Sequence, residues 1–137
     1  MSIVYNPKVP QDIRLHALVT PGTHFSFCGK CFDKNFSFSL SASGGVVLKV
    51  DFNMETDKLI RAKSQIGENW TREVRARNPV KANESFSLHI IVMENSFSIE
   101  VNGQHLFDYK HQVPASEINM ITLFNHMNIE SLSVARN

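Results

Sequence analysis

The amino-acid sequence predicts an all-β protein, a sandwich or a barrel of short antiparallel strands. Apolar and polar residues alternate in run after run, most clearly in residues 36–40 and 96–101, which is the pattern of half-buried strands. Turn signals separate these runs at regular intervals, and no stretch longer than a turn shows the period of a helix. Many short strands joined by regular turns are typical of sandwiches and barrels.

At 137 residues the chain has the length of one domain, which we place at residues 1–137. Its 14 Lys and Arg residues nearly balance its 13 Asp and Glu residues, whereas nucleic acids and anionic membranes select basic proteins. We therefore expect no nucleic-acid partner. We also expect no membrane insertion, since no apolar run approaches the roughly 20 residues of a transmembrane helix. The first residues lack the features of a signal peptide, which predicts a cytoplasmic protein.

The first strands in chain order are predicted at residues 24–27 and 36–40, where phenylalanine alternates with polar residues. The next strand, at residues 48–55, has apolar residues at its even positions and polar residues at its odd positions. Because successive side chains of a strand point to opposite faces, this strand buries the first set and exposes the second. A tight connection then leads to a strand at residues 59–66 with the same alternation.

The second half of the chain continues this pattern. Residues 85–92 and 96–101 are predicted as strands, and the second meets Asn102-Gly103, the strongest two-residue hairpin signal. The strand at residues 105–109 returns from this hairpin, and residues 129–134 close the chain. Three further dipeptides mark turns, namely Gly44-Gly45, Asn78-Pro79 and Val113-Pro114.

Three consecutive strands put their polar side chains on one face of the predicted sheet. The set comprises Lys49, Asp51, Asn53, Glu55, Arg61, Lys63, Glu73 and Arg75. Alternation alone gives an antiparallel sheet one solvated polar face, so the charges by themselves favour simple solvent exposure. The feature that points to binding lies at the edge of this face.

Trp70 is the only tryptophan and begins the segment W-x-x-E-x-R, which ends at Arg75. The pattern sets an aromatic ring beside a carboxylate, Glu73, and a guanidinium that share one strand face. A sugar pyranose needs such a site, because its C–H face packs on a ring while its hydroxyls are held from the side. The alternative is a core tryptophan, since large aromatic residues are often buried.

The two cysteines, Cys28 and Cys31, form a lone C-x-x-C motif. A zinc site would need two further ligands at matching spacing, and the six histidines show no such cluster. A redox pair would want a helix start after the first cysteine, whereas the surrounding residues alternate as in a strand. We therefore expect two reduced thiols, and no metal or other cofactor.

W-x-x-E-x-R resembles the signature of the galectins, the β-galactoside-binding lectins of animals, and the resemblance covers nearly the whole chain. Residues 97–111 are similar to the galectin hairpin V-x-V-D/N-G-x-H-x-F-x-Y-x-H, and residues 36–40 to the strand F-x-I/V-N-L. Residues 22–25, followed by Cys28-Gly29, resemble the early galectin strands. By resemblance the fold is a jelly-roll β-sandwich of two antiparallel sheets, with sugar bound on the concave face of one.

The galectin binding motif is half present in this sequence. Where the family has H-x-N-P-R, residues 51–55 keep the asparagine as Asn53 but carry Asp51 for the histidine and Glu55 for the arginine. The asparagine of the following V-x-N motif is replaced by Lys63 in an ungapped alignment. The carbohydrate-binding residues that the resemblance implies are Asp51, Asn53, Glu55, Lys63, Trp70, Glu73 and Arg75.

These replacements predict altered sugar recognition. The histidine and arginine of the galectins donate to the axial 4-hydroxyl of galactose, and Asp51 and Glu55 offer acceptors instead, which should weaken or redirect galactose binding. Glu55 would also stand near Glu73, and two close carboxylates repel each other. We predict that Lys63 supplies the missing cation, in a network with Glu55, Glu73 and Arg75.

The leading hypothesis is a non-catalytic lectin that binds glycans with altered or weakened β-galactoside specificity. The alternative is a galectin-like protein that has lost sugar binding and acts through protein–protein contacts, for example as a homodimer. An enzyme is disfavoured, because Asp51, Glu55 and Glu73 lie on an open face without the enclosure that a glycosidase carboxylate pair needs. By resemblance, a cytoplasmic galectin is also exported by an unconventional route, which would add an extracellular location.

Overall fold

The computed structural model describes residues 1–136 as a β-structure of 14 strands and one 3₁₀ turn. The strands are β1 (Ser2–Tyr5), β2 (Gln11–Arg14), β3 (His24–Cys31), β4 (Phe36–Ala42), β5 (Gly45–Phe52), β6 (Leu59–Lys63), β7 (Gln65–Ile66), β8 (Asn69–Trp70), β9 (Val74–Arg77), β10 (Ser85–Val92), β11 (Ser96–Val101), β12 (Gln104–Lys110), β13 (Met120–Leu123) and β14 (Met127–Ala135). The 3₁₀ turn, Ala115–Glu117, joins β12 to β13.

Two six-stranded antiparallel sheets form the two layers of the fold. Sheet 1 has the order β1-β14-β3-β10-β11-β12, and sheet 2 has the order β2-β13-β4-β5-β6-β9. Strands β7 and β8 pair as a separate ribbon. The chain passes repeatedly from one sheet to the other, as in a jelly roll. The all-β sandwich predicted from the sequence is therefore confirmed.

Phenylalanine rings fill the space between the sheets, because alternation sends this residue inward from both layers. Phe36, Phe38 and Phe52 come from sheet 2, and Phe27 and Phe86 from sheet 1, and all five are buried. The rings of Phe36 and Phe52 stack with centroids 4.5 Å apart, and those of Phe27 and Phe38 meet between the sheets at 4.6 Å. This packing supports sheet 2 from its inner side and makes its outer face a firm platform.

The strand boundaries differ from the sequence prediction at two places beside that outer face. Strand β5 ends at Phe52, three residues early, because Asn53 Oδ1 accepts the Thr56 N–H at 2.9 Å and closes a turn. The strand predicted at residues 59–66 is divided at Ser64, which is fully buried and lies between β6 and β7. The Ser64 hydroxyl forms hydrogen bonds inside the sandwich, and the ladder of hydrogen bonds between strands is interrupted at this residue.

Both cysteines lie on β3 as free thiols, which agrees with the predicted strand context. The buried Cys31 thiol donates to the backbone oxygen of Lys81 at 3.2 Å. Burial raises the pKa of the Cys31 thiol, which keeps it protonated and unreactive. Within residues 1–136 no three His, Cys, Asp or Glu side chains gather where they could hold a metal ion. No helix in that part of the chain is long and apolar enough to cross a membrane.

Candidate functional site

The outer face of sheet 2, here called the polar face, carries polar side chains in two cross-strand rows. The first row consists of Ser37, Asp51, Arg61 and Arg75, from β4, β5, β6 and β9. The second row consists of Ser39, Lys49 and Lys63, from β4, β5 and β6. Side chains directly opposite each other on a sheet lie about 5 Å apart. Each row is therefore a continuous set of neighbouring polar groups.

Asp51 lies at the centre of the polar face and is engaged by three donors. Its Oδ1 accepts the Ser37 hydroxyl at 2.6 Å, and its carboxylate forms ion pairs with Lys49 Nζ at 3.5 Å and Lys63 Nζ at 3.4 Å. The Lys49, Lys63 and Asp51 side chains are only 21–24% exposed, so solvent weakens these pairs less than it would on an open surface. Position 51 thus presents a fixed acceptor where the galectin motif has a histidine donor.

Trp70 stands on β8 at the edge of the polar face, with 43% of its surface exposed. The alternative of a core tryptophan is therefore wrong. Lys63 Nζ lies 4.7 Å from the centre of the indole ring, and Lys49 Nζ lies 5.7 Å from it. Both distances permit cation–π attraction. The ring that the sequence predicts as a stacking platform thus has an ammonium group over its face.

A chain of buried and half-buried hydroxyls anchors the segment that carries Trp70. Ser64 Oγ donates to Val47 O at 2.7 Å and lies 2.8 Å from Tyr109 Oη, which lies 3.0 Å from Thr71 Oγ1. Each hydroxyl has one proton. Because Ser64 gives its proton to Val47, Tyr109 must donate to Ser64, and Thr71 must donate to Tyr109. In the backbone, Thr71 N donates to Ser64 O at 2.8 Å, which fastens the residue next to Trp70 to the sandwich.

The Thr71→Val variant, which keeps the side-chain shape, is expected to lose about 1–3 kcal/mol of unfolding free energy. The change deprives the Ser64 N–H of its acceptor at 3.0 Å and removes one partner of Tyr109 Oη. Urea unfolding measures the loss, and fluorescence anisotropy of Trp70 reports the motion of its segment. As a control, Thr56→Val removes an exposed hydroxyl whose one hydrogen bond, to Asn53 Oδ1 at 3.2 Å, is open to solvent, and should stay within about 0.5 kcal/mol of wild type. Equal losses in both variants would contradict the anchoring role.

Arg61 is the principal cation beside Glu73. Arg61 Nε lies 3.2 Å from Glu73 Oε2, and both terminal nitrogens of the guanidinium bond to the carboxylate of Asp57. Arg75 Nε approaches the same Glu73 oxygen at 3.3 Å. The hydrogen bond from Arg61 lowers the pKa of Asp57, and the same bond raises the pKa of Arg61. Glu73 is therefore held between two guanidinium groups, one of which is itself fixed by a bidentate pair.

The four-residue network predicted around Lys63 is wrong in two of its members. Lys63 pairs with Asp51, because the register of β5 and β6 sets it diagonally across from that residue on the same face. Glu55 lies beyond the end of β5, where its Oε2 accepts the Asn35 N–H at 3.3 Å. Of the predicted contacts, the ion pair between the two charges of W-x-x-E-x-R is present. The missing positive charge is supplied by Arg61 instead.

Asn53 is the retained residue of the H-x-N-P-R motif, and its side chain shapes the turn after β5. Its Oδ1 accepts Thr56 N at 2.9 Å, Thr56 Oγ1 at 3.2 Å and Lys58 N at 3.3 Å. These bonds use the amide oxygen and leave Nδ2 as the group that Asn53 can offer to a ligand. A shallow depression opens beside it on the polar face, lined by Asn35, Ser37, Asp51, Phe52, Asn53 and Arg61.

Sequence reasoning missed three contributors to this surface. Lys49 and Arg61 face outward as alternation predicts, but alternation gives no signal that distinguishes them from other solvated charges. Phe124 follows β13 and is 36% exposed, with Lys49 Nζ 5.0 Å from its ring centre. Nothing in the local pattern marks Phe124, because only the pairing of β13 with β4 brings it to this face.

The polar face can hold a ligand through an aromatic ring, hydroxyls and fixed charges. Each of the carboxylates Asp51, Asp57 and Glu73 is paired with at least one cation. These carboxylates are held as hydrogen-bond and ion-pair acceptors on an open face, an arrangement that suits ligand binding.

Several known proteins are similar to this chain in sequence. The sequence profile of a family described as galactoside-binding lectin matches residues 10–134. A Caenorhabditis elegans protein described as probable galaptin lec-8 is 29% identical over 136 residues, covering 97% of this chain and 76% of that protein. Rat Galectin-8 is 25% identical over 140 residues, covering 96% of this chain and 44% of that protein.

The fold has a close counterpart among solved structures. The crystal structure of the galectin LEC-6 from Caenorhabditis elegans matches with a TM-score of 0.91 at 22% identity, covering 98% of this chain and 96% of that one. At this level of identity the match establishes the shape of the sandwich. The family profile adds the sequence relationship over nearly all of the chain. The protein therefore belongs to the galactoside-binding lectins, the galectin family of non-catalytic lectins.

Proposed function

We propose that this protein binds β-galactoside glycans on the polar face with altered or weakened specificity. The observation that carries the proposal is the half-exposed indole of Trp70, which stands at the edge of a row of fixed hydrogen-bonding groups. A sugar stacked on this ring would have the Glu73 carboxylate and the Arg75 guanidinium at its side, as the W-x-x-E-x-R segment predicts. Membership of the galectin family supports this use of the face.

The altered specificity follows from the depression beside Asn53. There the galectin histidine is replaced by Asp51, whose acceptor oxygens are already engaged by Ser37 and two lysines. Arg61 lines the same depression and brings a guanidinium back to it, in place of the arginine lost at Glu55. A site that keeps some donors and loses others should still bind, but should discriminate the axial 4-hydroxyl less sharply.

A glycan array tests the proposal with pairs of glycans that differ only in that hydroxyl, such as β-galactose and β-glucose termini. We expect signal on galactose-containing glycans that free sugar competes away. We also expect a smaller galactose preference than that of a galectin with an intact H-x-N-P-R motif. The same preference in both proteins would contradict the altered specificity. Absence of any sugar-competed signal would contradict glycan binding itself.

The Arg61→Gln variant is expected to bind glycan about tenfold more weakly, a change of about 1.4 kcal/mol. The substitution removes one of the two cations that orient Glu73 and replaces a charged donor of the depression by a neutral amide. Partial exposure limits the effect, because solvent replaces part of the lost interaction. Titration calorimetry with lactose measures the change. Arg77→Gln serves as the matched control, since Arg77 forms no ion pair within residues 1–136, and equal losses would refute the role of Arg61.

A second candidate function is association with another protein chain after loss of sugar binding. Two observations favour it. Lys63 covers the ring on which a sugar would stack, and edge strand β1 exposes the apolar side chains of Ile3 and Tyr5, which are 44% and 71% exposed. An edge strand with exposed apolar side chains can pair with a second copy to form a homodimer. A blank glycan array would favour this candidate.

A further inference from the structure

At the centre of the polar face one carboxylate serves two lysines. Asp51 lies 3.5 Å from Lys49 Nζ and 3.4 Å from Lys63 Nζ, and all three side chains are mostly buried. Two ammonium groups and one carboxylate leave one uncompensated positive charge. Because these groups are partly shielded from water, that charge attracts anions more strongly than a fully solvated lysine does.

The neighbouring carboxylates do not neutralise this charge, because each is paired with another cation or lies too far away. Glu73 and Asp57 bind the guanidinium of Arg61. Asp12 lies at the far edge of sheet 2, three strands from Lys49 in the sheet order, where it accepts the Thr122 hydroxyl at 2.7 Å. The excess positive charge of the polar face is therefore localised at the lysine pair, beside the proposed stacking ring.

Two aromatic rings flank the lysine pair. Lys63 Nζ lies 4.7 Å from the ring centre of Trp70, and Lys49 Nζ lies 5.0 Å from that of Phe124. A cation–π contact at a partly exposed site is a weak attraction. A charge-assisted hydrogen bond to an anionic oxygen is stronger and more directional. An anionic ligand would therefore hold the two ammonium groups more strongly than the two aromatic rings do.

A sugar that stacks on Trp70 must also displace Lys63 from the ring. The displaced ammonium then needs a new partner, and a neutral hydroxyl compensates it less well than an anionic oxygen. Lys49 is directly opposite Lys63 in the strand register, so both ammonium groups can close on the same anion. Displacement of Lys63 therefore weakens the binding of a neutral sugar. It does not weaken the binding of an anionic sugar, whose anionic group pairs with the displaced ammonium.

We propose that the preferred ligand is a β-galactoside that carries an anionic group, a sulfate ester or a carboxylate, held by Lys49 and Lys63. The inference rests on the proposed glycan-binding function of the polar face. It assigns the two lysines as specificity-determining residues. Lys63, which replaces the galectin asparagine, then favours anionic sugars over neutral ones.

Titration calorimetry with three forms of one disaccharide tests the inference: unmodified lactose, sulfated lactose, and lactose extended by a sialic acid. At least one anionic form is expected to bind about tenfold more tightly than lactose near 0.05 M salt, with the advantage shrinking near 0.5 M salt as screening increases. Preference for the sulfate or for the carboxylate identifies the source of the anion. Either preference supports the inference.

The variants Lys49→Met and Lys63→Met keep the length of the side chain and remove its charge. In each, the ratio of lactose to anionic dissociation constants is expected to fall toward one, whichever way the lactose affinity itself moves. Lys30→Met, on the outer face of sheet 1, should leave the ratio unchanged. Equal affinity for lactose and both anionic forms, or a ratio that neither substitution moves, would overturn the inference while leaving glycan binding in place. No binding of any form would instead overturn the proposed function on which it rests.

Discussion

Glycan binding is expected to weaken strongly in the Trp70→Ala variant while the fold remains. The indole is the apolar surface at the edge of the polar face, and an aromatic anchor at a binding site is worth roughly 2–4 kcal/mol, a loss of about thirtyfold or more. The fold should tolerate the change, because the ring is half exposed on a two-stranded ribbon outside the main sheets. Titration calorimetry is the suitable measurement, since the variant has no tryptophan left for fluorescence.

Two further variants make this result specific. Trp70→Phe keeps a smaller ring and should bind with intermediate affinity, whereas a purely structural role would not depend on an aromatic ring. Leu18→Ala removes an apolar side chain that is 60% exposed but lies outside the polar face, and should bind like wild type. Unfolding in urea, followed by circular dichroism, should shift by less than about 1 kcal/mol in Trp70→Ala. Wild-type affinity in Trp70→Ala would place the sugar elsewhere on the molecule.

The face of each site residue could be predicted from the sequence, because strand alternation is a local property. Period two placed Asp51, Arg61 and Lys63 on one side of their strands and the phenylalanines on the other, and the structure has them so. The W-x-x-E-x-R segment predicted Trp70 at the edge of this face, and in the structure the Lys63 ammonium group lies over its ring. Local pattern therefore sufficed to outline the polar face.

The partner of each charge could not be predicted, because partners depend on register and on turns. The sequence predicted that Lys63 would form an ion pair with Glu55, yet the Glu55 carboxylate accepts the Asn35 N–H instead. Arg61 pairs with Glu73 while Asp57, in the turn before β6, binds the other side of its guanidinium. A shift in register would have exchanged these pairs without changing the alternation that the sequence displays.

Strands β1, β2 and β13 carry too little pattern to be recognised in the sequence. Strands β1 and β2 lie at the edges of the two sheets, and three of the four residues in each are exposed. An edge strand with a single half-buried side chain has no alternation to detect. Strand β13 is buried on one face but has only four residues, so its period is too short to distinguish from a loop. The ends of the sheets therefore emerge only from pairing with their longer neighbours.

The Gly29→Ala variant is expected to lose at least about 3 kcal/mol of unfolding free energy, or to fail to fold. Gly29 lies in the middle of sheet 1 on β3, opposite an irregularity in β14. A Cβ atom at this position would stand 2.1 Å from Asn128 O and 3.1 Å from Ile129 Cα. Both are backbone atoms of the neighbouring strand, so no side chain can rotate to relieve the clash.

The irregularity itself explains why the strand cannot simply retreat. Between Ile129 and Ser131 the ladder of β14 skips one residue, and the Asn128 carbonyl moves into the space that a side chain at Gly29 would need. Moving β14 outward would break its bonds to β3 and separate β1 from the sheet, because β14 lies between those two strands. Gly44→Ala is the matched control, since a Cβ there meets nothing within 4 Å and should change stability by less than about 1 kcal/mol. Urea unfolding followed by circular dichroism compares the two variants, and equal stabilities would show that β3 and β14 pair differently from the register described.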